Sequence, residues 1–336
     1  MSGGGETWTS RLSGVSLLHT WRAHALRYDD ALQQAAALDA IAPFLERIKE
    51  IEEAQQQQQQ QVSEAPLAPR DAFVKALLRW FKDEFFTWHN EAICSTCGPE
   101  AGEKTRLVRV EEPTQSERAD GEPGRVEVYN CPCCSAEVRF PRLNDPVRLL
   151  QPDWRKGRCG EWANAFCLCL RALGYRQVRY VLDTTDHVWC EYWSSSLNRW
   201  VHVDACEASW DEPHLYSEGW GKKLRHVIAF SMDGVVDVTR RYVKGQQKYT
   251  EALQRRAADA SERNLAASLA YATTRVRLTT TAGAEAAASL ARGAAADLIE
   301  LLALHDGACD DCGHGALQGR TSGSLAWRLS RGEMKR

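Results

Sequence analysis

Cys159 is the residue whose setting most favours covalent chemistry. It stands in the stretch 158–164 (RCGEWAN), and the apolar residues after it recur with the period of a helix that has one buried face. These residues are Trp162, Phe166, Cys169, Leu170 and Leu173. Gly174 then predicts the end of that helix. The pattern places Cys159 in the first helical turn.

A thiol at a helix N-terminus meets the positive end of the helix dipole and unpaired backbone N–H groups. Both favour the thiolate, so the thiol pKa falls, and the same N–H groups can hold a developing oxyanion. Cys159 is therefore a candidate nucleophile. The alternative is that Cys159 is a small buried residue, which is our interpretation of Cys167 and Cys169.

A base and a carboxylate come from a predicted hairpin. Three segments rich in β-branched and aromatic residues are predicted strands: 177–184 (QVRYVLDT), 187–193 (HVWCEYW) and 199–205 (RWVHVDA). The polar loop 194–197 joins the last two. If the hairpin is centred between Ser195 and Ser196, His187 lies directly opposite Asp204, with Cβ atoms about 4.5–5.5 Å apart. Side-chain alternation puts both residues on one face.

Cys159, His187 and Asp204 together have the logic of a thiol–imidazole–carboxylate triad. His187 would accept the thiol proton, and Asp204 would orient the imidazole. His202 is the rival base, but it shares a strand with Asp204 only two residues away, which makes it the worse-placed partner. We interpret His202 as a packed or wall residue. The arrangement depends on register, since a slip of one residue would destroy it.

Several stretches around these residues resemble a known family. They are RCGEWANAF (158–166), TDHVW (185–189), VDACE (203–207), YSEGWGKKL (216–224) and IAFSMDGVVDVTRRY (228–242). With their surroundings, roughly residues 72–243, they are similar to the cytosolic peptide:N-glycanases of the transglutaminase-like superfamily. The resemblance implies hydrolysis of the amide between an asparagine side chain and the first N-acetylglucosamine of an N-glycan, which converts the asparagine to aspartate.

The resemblance also implies roles for individual residues. It assigns the nucleophile, base and orienting acid to Cys159, His187 and Asp204, the residues that the hairpin argument selects. It further implies a substrate-binding glutamate and two tryptophans in a cleft: Glu207, Trp189 and Trp200. The alternative for the two tryptophans is ordinary aromatic packing on a sheet.

The twelve cysteines include a spacing typical of a metal site. Cys94 and Cys97 form one C-x2-C knuckle, Cys131 and Cys134 form a second, and 33 residues separate them. Two such knuckles supply four thiolates for one tetrahedral zinc ion. The second knuckle contains a third cysteine, Cys133. Spacing and resemblance both favour Cys131 and Cys134 as the metal ligands. The predicted zinc is structural, because four cysteines leave no open position for water; disulfides are the alternative.

Composition excludes some classes of protein. The chain has 336 residues, with 45 acidic and 42 basic side chains and a net charge of −3, which argues against a dedicated nucleic-acid binder. We find no apolar run long enough to span a membrane and no apolar core of a signal peptide. We expect a cytoplasmic protein, with the nucleus as a second location.

We predict three parts of the chain. Residues 1–65 form a mostly disordered or helical arm that contains a polyglutamine tract. Residues 66–245 form the catalytic core, which includes the zinc lobe at about 91–142 and, within that lobe, a charged surface loop at 111–125. Residues 246–336 form a helical C-terminal extension with a glycine-rich tail.

Two features of the C-terminal extension bear on function. His305, Cys309, Cys312 and His314 form either a second metal site or a loop with incidental cysteines; the tight spacing favours the loop. The final stretch, 322–336, resembles the segment that in animal relatives leads into a sugar-binding β-sandwich.

These arguments predict an α+β protein with a transglutaminase-like (papain-like) core. We expect the nucleophile helix on an antiparallel sheet, a zinc lobe with four cysteine ligands beside it, and a cleft between lobe and core. The predicted function is an amidase that removes N-glycans from misfolded or denatured glycoproteins during their degradation (the ERAD pathway). The resemblance implies a proteasome-shuttle adaptor as a partner. The alternatives are a transglutaminase-like cysteine protease or crosslinker, and a non-enzymatic zinc-containing adaptor.

Overall fold

A computed structural model of the chain describes residues 23–57, 68–98, 105–257, 261–280, isolated positions between 287 and 302, and 317–334. Its helices are α1 (Ala31–Gln57), α2 (Pro69–Trp80), α3 (Gln115–Ala119), α4 (Pro146–Leu149), α5 (Cys159–Ala172), α6 (Thr239–Tyr242), α7 (Gln246–Arg256), α8 (Glu262–Thr280) and α9 (Leu325–Arg331). Single turns of other helix types occupy Phe81–Phe85, Pro152–Trp154 and Leu215–Gly219. The predicted His305, Cys309, Cys312 and His314 cluster lies outside the described residues.

The strands form three sheets. They are β1 (Thr87–Trp88), β2 (Arg106–Glu111), β3 (Val126–Asn130), β4 (Glu137–Pro141), β5 (Lys156–Gly157), β6 (Val178–Asp183), β7 (His187–Ser194), β8 (Arg199–Asp204), β9 (Ser209–Trp210), β10 (Val227–Ser231) and β11 (Gly234–Asp237). An antiparallel sheet has the order β11-β10-β6-β7-β8-β9, and a smaller one has the order β2-β3-β4. β1 pairs with β5 in parallel. The predicted α+β class with antiparallel sheets is confirmed.

Helix α5 is the centre of the main core. Its residues from Trp162 to Leu170 are almost entirely buried, because the helix packs on β6 and β7 on one side and on α1 on the other. Ile41 and Phe44 of α1 are 0% and 2% exposed. The apolar face of α1 covers α5 and becomes part of the same core.

The end of α5 follows the prediction. Gly174 has a φ of +81°, the left-handed conformation that glycine adopts without a Cβ clash. Its N–H donates to the carbonyl of Arg171 at 3.0 Å, and the N–H of Tyr175 donates to the carbonyl of Leu170 at 3.1 Å. This pair of bonds is a Schellman motif, which satisfies carbonyl groups at the helix end.

The β7–β8 hairpin has a different register from the predicted one. Cys190 pairs with Val203 and Ser194 pairs with Arg199, so the centre lies between Ser196 and Leu197, one residue further along the chain than expected. Ser194 stays in the strand because its Oγ donates to a buried carboxylate of α2 at 2.8 Å. Moving the centre by one residue moves each partner by two, so every side chain keeps its predicted face.

Two further findings concern surface segments. The predicted loop at 111–125 contains one helical turn, α3, because Thr114 and Glu117 form a capping box at its start. In the part of the chain that the structure describes, no helix combines the length and apolar character that crossing a membrane requires.

Candidate active site

Cys159 is the first residue of α5, as predicted, and its side chain is partly exposed. The helix start is closed by Glu161, whose Oε2 accepts the backbone N–H of Arg158 at 3.0 Å. Gly157 permits this approach, since a Cβ there would lie 2.4 Å from the Cβ of Glu161. The thiol therefore lies at a helix N-terminus whose first turn is held by the Glu161 hydrogen bond.

The structure brings His187 and Asp204 together. Nε2 of His187 and Oδ2 of Asp204 are 2.8 Å apart, and both residues are 1% exposed. Because of the shifted register the two residues are diagonal neighbours across the strands and not directly opposite. The two side chains still meet, because the shifted register leaves both of them on one face of the sheet.

The charges of the three groups support one another. Burial raises the pKa of the Cys159 thiol, but the adjacent His187 charge and hydrogen bond outweigh it, so the net pKa is lowered. Burial lowers the pKa of His187, whereas Asp204 and Cys159 raise it to about 9. Burial opposes ionisation of Asp204, yet the charge of His187 brings its pKa well below the usual range. Each of these shifts favours the charged form, so the three groups together favour a thiolate beside an imidazolium.

One ring nitrogen of His187 is not engaged by Asp204 and is available to the thiol. Its Nδ1 is buried and makes no hydrogen bond with a nitrogen or oxygen atom of the described residues. With Nε2 held by Asp204, Nδ1 is the atom that can exchange a proton with Cys159. The arrangement matches the roles of nucleophile, base and orienting carboxylate.

His202 supports Asp204 indirectly, through a tyrosine that the sequence analysis did not identify. Burial lowers its pKa to about 4, so the ring is neutral. Its Nδ1 accepts the backbone N–H of Glu212 at 3.3 Å, which leaves Nε2 to donate to the Tyr216 hydroxyl at 2.7 Å. Tyr216 in turn donates to Oδ2 of Asp204 at 2.9 Å. His202 is thus a packed residue that orients Tyr216, and Tyr216 was not predicted.

The two predicted knuckles also meet. The sulfur atoms of Cys94, Cys97, Cys131 and Cys134 all lie within 4.8 Å of one another, with Cys94 and Cys134 at 3.6 Å and Cys131 and Cys97 at 3.8 Å. Tetrahedral zinc with Zn–S bonds of about 2.3 Å requires sulfur atoms about 3.8 Å apart, so the donor set fits this ion. Cys133 is exposed and lies outside the group, as predicted.

Comparison with known proteins gives matches of two kinds. The description "Transglutaminase-like superfamily" matches residues 119–205, and "Rad4 transglutaminase-like domain" matches residues 181–283. The Homo sapiens protein named "Peptide-N(4)-(N-acetyl-beta-glucosaminyl)asparagine amidase" is 39% identical over 311 residues, which cover 93% of this chain and 45% of that protein. The Candida glabrata protein of the same name is 49% identical over 177 residues, which cover 53% of this chain and 49% of that protein.

The chain is thus similar over most of its length to proteins named as peptide:N-glycanases. It spans about half the length of the curated relatives that it matches. Among solved structures, that of Rad4–Rad23 bound to a 6-4 photoproduct UV lesion aligns with a TM-score of 0.46 and 15% identity, covering 83% of this chain and 55% of that chain.

The two tryptophans that the resemblance assigns to a cleft lie inside the protein. Trp189 is 0% exposed and stacks on Tyr216 with ring centroids 4.2 Å apart. Trp200 is 4% exposed and packs under the guanidinium of Arg179, 3.6 Å from its ring centroid. Neither ring offers a face to a sugar in this conformation, so the geometry corrects this expectation in favour of the packing alternative.

Glu207 lies three residues after Asp204 and is partly buried. Its carboxylate accepts hydrogen bonds from the backbone N–H and hydroxyl of Thr321, at 2.8 and 2.6 Å, and from the backbone N–H of Ser322 at 3.1 Å. These donors belong to the C-terminal segment 317–334, and the sequence did not predict a contact between this segment and Glu207.

A buried ion network, also missed in the sequence, joins the smaller sheet to the nucleophile helix. Arg158 donates to both carboxylate oxygens of Glu127, at 3.1 and 2.8 Å. Arg142 donates to both carboxylate oxygens of Glu161, at 2.6 and 2.8 Å, and to Glu127 at 2.9 Å. Glu127 and Glu161 are 3% and 4% exposed. The network connects the cysteine-rich lobe to the residues around Cys159.

We expect Arg142→Met to destabilise the fold strongly, because it leaves carboxylates buried with fewer counter-charges. Breaking such a buried pair costs about 3–5 kcal/mol of unfolding free energy. The matched control is Arg118→Met, which removes an ion pair whose side chains are 55% and 83% exposed and which should cost less than about 1 kcal/mol. Urea unfolding of both variants measures the difference, and equal losses would contradict a structural role for the network.

Proposed function

We propose that this chain is an amidase that cleaves the bond between an asparagine side chain and its N-glycan, leaving aspartate. The observation that carries the proposal is the buried His187–Asp204 hydrogen bond beside Cys159 at a helix N-terminus. It is supported by 39–50% identity to proteins named "Peptide-N(4)-(N-acetyl-beta-glucosaminyl)asparagine amidase".

In the first half of the proposed reaction, the Cys159 thiolate attacks the side-chain carbonyl carbon of the glycosylated asparagine. The resulting oxyanion lies near the free N–H groups at the start of α5. His187, protonated at Nδ1, gives its proton to the departing glycosylamine nitrogen, and the carbon–nitrogen bond breaks. The product on the enzyme is an aspartyl thioester.

In the second half, His187 is neutral and takes a proton from water. The hydroxide equivalent attacks the thioester carbonyl, the carbon–sulfur bond breaks, and the thiolate returns while aspartate is released. Asp204 stabilises the imidazolium in both halves and holds the ring through Nε2. Every proton transfer in this scheme uses one atom, Nδ1 of His187.

We propose zinc as the ion for Cys94, Cys97, Cys131 and Cys134. When bound, it would supply folding stability to the lobe and would take no part in the reaction. A reducing compartment such as the cytoplasm or nucleus suits these thiolates and the nucleophile, because both require reduced cysteines. We further propose denatured N-glycoproteins as substrates and a proteasome-shuttle adaptor as a partner, within the degradation of misfolded glycoproteins.

The reaction class is tested by mass spectrometry of a denatured N-glycopeptide after incubation with the purified chain. Conversion of asparagine to aspartate with release of the glycan supports the amidase. Backbone cleavage would select a cysteine protease, and attachment of an added amine would select a transglutaminase. An unchanged peptide would favour a non-enzymatic adaptor. Cys159→Ala serves as the negative control.

We expect a denatured glycoprotein to react at least tenfold faster than its native form. The scissile amide carries a sugar on one side and polypeptide on the other, and its carbonyl must come within about 3–3.5 Å of the sulfur, which requires a flexible local backbone. Glycan release from both forms of one glycoprotein, followed by gel shift, measures the ratio. Equal rates would contradict this view of the substrate.

Glu207→Gln tests the sugar side of the same site. It should lower glycan release roughly tenfold or more, because an uncharged amide is a weaker acceptor for sugar hydroxyl groups. Cys159 should remain open to alkylation in this variant. The control is Glu251→Gln on α7, which should change neither readout. Unchanged release by Glu207→Gln would remove Glu207 from the substrate site.

A further inference from the structure

Residues 317–334, here called the C-terminal strap, lie against both halves of the molecule around the active site. Just after β1, the backbone N–H of Ser324 donates to Oδ1 of Asn90 at 2.7 Å. On the side of the main sheet, Arg331 donates to Asp186, the residue before His187, at 2.7 Å. A Cβ at position 219 would lie 2.4 Å from the carbonyl oxygen of Gln318. The strap can pack this closely because Gly219 has no side chain.

Arg320 is the buried residue of the strap. It is 1% exposed, and its guanidinium carbon lies 4.3 Å from the ring centre of Trp327, 4.7 Å from that of Trp220 and 5.4 Å from that of Trp88. Among the residues that the structure describes, its charge has one close carboxylate partner, Glu333, at 2.7 Å. Aromatic faces attract a guanidinium but do not neutralise it. The cage therefore keeps a positive charge inside the protein.

This charge lies next to the proposed reaction centre. Trp220, which contacts Arg320, also packs edge-on against the imidazole of His187, with ring centroids 4.8 Å apart. The positive charge of Arg320 lowers the pKa of the Cys159 thiol, and the Cys159 charge in turn raises the pKa of Arg320. The residues that follow Arg320 in the chain, Thr321 and Ser322, are those that bind Glu207.

Several ionisable groups act on the Cys159 thiolate. They are His187, Arg320, Asp186, Tyr180 and Cys206. His187 and Arg320 are the cations in this set, and His187 must give up its proton during turnover. Arg320 is the cation that stays charged throughout, because a guanidinium is not deprotonated in proteins.

We propose that Arg320 is a positioning residue for the Cys159 nucleophile, a permanent buried cation that the C-terminal strap brings beside the Cys159–His187 pair. The inference rests on the proposed function in that it takes Cys159 as the nucleophile. The tryptophan cage fixes the position of the Arg320 guanidinium. Its electrostatic effect on the Cys159 sulfur atom therefore does not depend on substrate. The strap is on this view part of the active site and not only a connection.

The test measures the rate of Cys159 alkylation by iodoacetamide against pH in the full chain, with the modified peptide identified by mass spectrometry. Arg320→Met should raise the apparent pKa of alkylation by about one unit, which lowers the thiolate fraction about tenfold at pH values below that pKa. Arg320→Lys, which keeps the charge but loses the planar stacking, should give a smaller rise. A wild-type profile for a folded Arg320→Met variant would overturn the proposal.

Two further variants separate this effect from lost stability. Arg256 is a matched buried arginine, 2% exposed and paired with Asp237 and Glu262, so Arg256→Met should lower stability without moving the alkylation profile. An equal shift in Arg256→Met would overturn the proposal. Glu333→Gln removes the counter-charge of Arg320 and should lower the apparent pKa; if Arg320→Met does not fold, an unchanged or raised value in Glu333→Gln overturns the proposal.

The alkylation experiment is independent of the substrate. If the wild-type chain alkylates at Cys159 with a depressed pKa but releases no glycan, the amidase proposal fails while the role of Arg320 is still decided by its variants. If the chain is an active amidase, the acidic limb of its pH–rate profile should move upward in Arg320→Met by the same amount as the alkylation profile. An active Arg320→Met enzyme with an unmoved acidic limb would overturn the positioning role.

Discussion

Cys159→Ala should abolish glycan release while leaving the fold intact, with a loss of about 10⁶-fold in kcat. The side chain is partly exposed and small, so its truncation leaves little empty space. His187→Ala should lower kcat by a similar factor. Asp204→Asn should lower kcat about 10⁴-fold, because an amide at this position would favour the wrong tautomer of the His187 imidazole. Release of labelled glycan and circular dichroism measure activity and folding. Cys133→Ala, at an exposed cysteine outside the metal group, is the control and should be fully active.

The pH dependence of activity follows from the same charges. Activity requires the Cys159 thiolate, whose pKa is lowered, and the protonated His187, whose pKa is raised to about 9. Turnover should therefore fall at low pH as the thiolate takes up a proton, and fall again as pH rises through about 9 and the imidazolium loses its proton. Equal activity of Cys159→Ser and the wild type would contradict a thiolate mechanism, because a serine hydroxyl is not ionised at these pH values.

Removal of the proposed zinc should unfold the lobe and abolish activity together. Structural zinc sites bind with an apparent free energy of about 10–16 kcal/mol, and that binding energy is folding energy. One zinc ion per chain should co-purify, as measured by elemental analysis. Thermal unfolding should move to much lower temperature after chelation, and activity should be lost with the fold and not before it.

Two cysteine variants sharpen the metal experiment. Cys131→Ser, at a residue that is 0% exposed and within the group of four, should lose the ion. Cys133→Ser, two residues along and outside the group, should retain it. Full activity and unchanged melting after complete removal of zinc would contradict a structural role for the four cysteines.

The structure explains why the lobe should matter for a reaction in which it takes no chemical part. β3 of the lobe carries Glu127, which binds Arg158 at the residue before Cys159. Arg142, just after β4, binds Glu161 in the first turn of α5. Unfolding of the lobe would remove both partners, so the start of the nucleophile helix would lose the contacts that fix its position.

Local patterns predicted the parts of the site that lie close together in the chain. The apolar period after Cys159 predicted the helix that it begins, Gly174 predicted its end, and alternation predicted the face shared by His187 and Asp204. The knuckle spacing predicted which four cysteines meet. The helix and strand features follow from backbone geometry over a few residues, which repeats in every protein.

Local patterns failed where the outcome depended on packing. The offset of the hairpin register arose from a contact of Ser194 with a carboxylate of α2, 123 residues away in sequence. Trp189 and Trp200 were assigned to a cleft by resemblance, and their burial depends on which elements cover that face of the sheet. Periodicity does not contain this information, since an aromatic residue on a strand suits a core and a cleft equally.

The sequence by itself determined the residue types of the proposed triad, the helix and strands that carry them and the group of four cysteines. Only the tertiary structure decided what surrounds them: the Tyr216–His202 support for Asp204, the ion network behind Cys159 and the C-terminal strap. Thr321 meets Glu207 across 114 residues of chain. No local spacing encodes a contact of that length, because it forms only when the apolar burial of the whole core brings the two segments together.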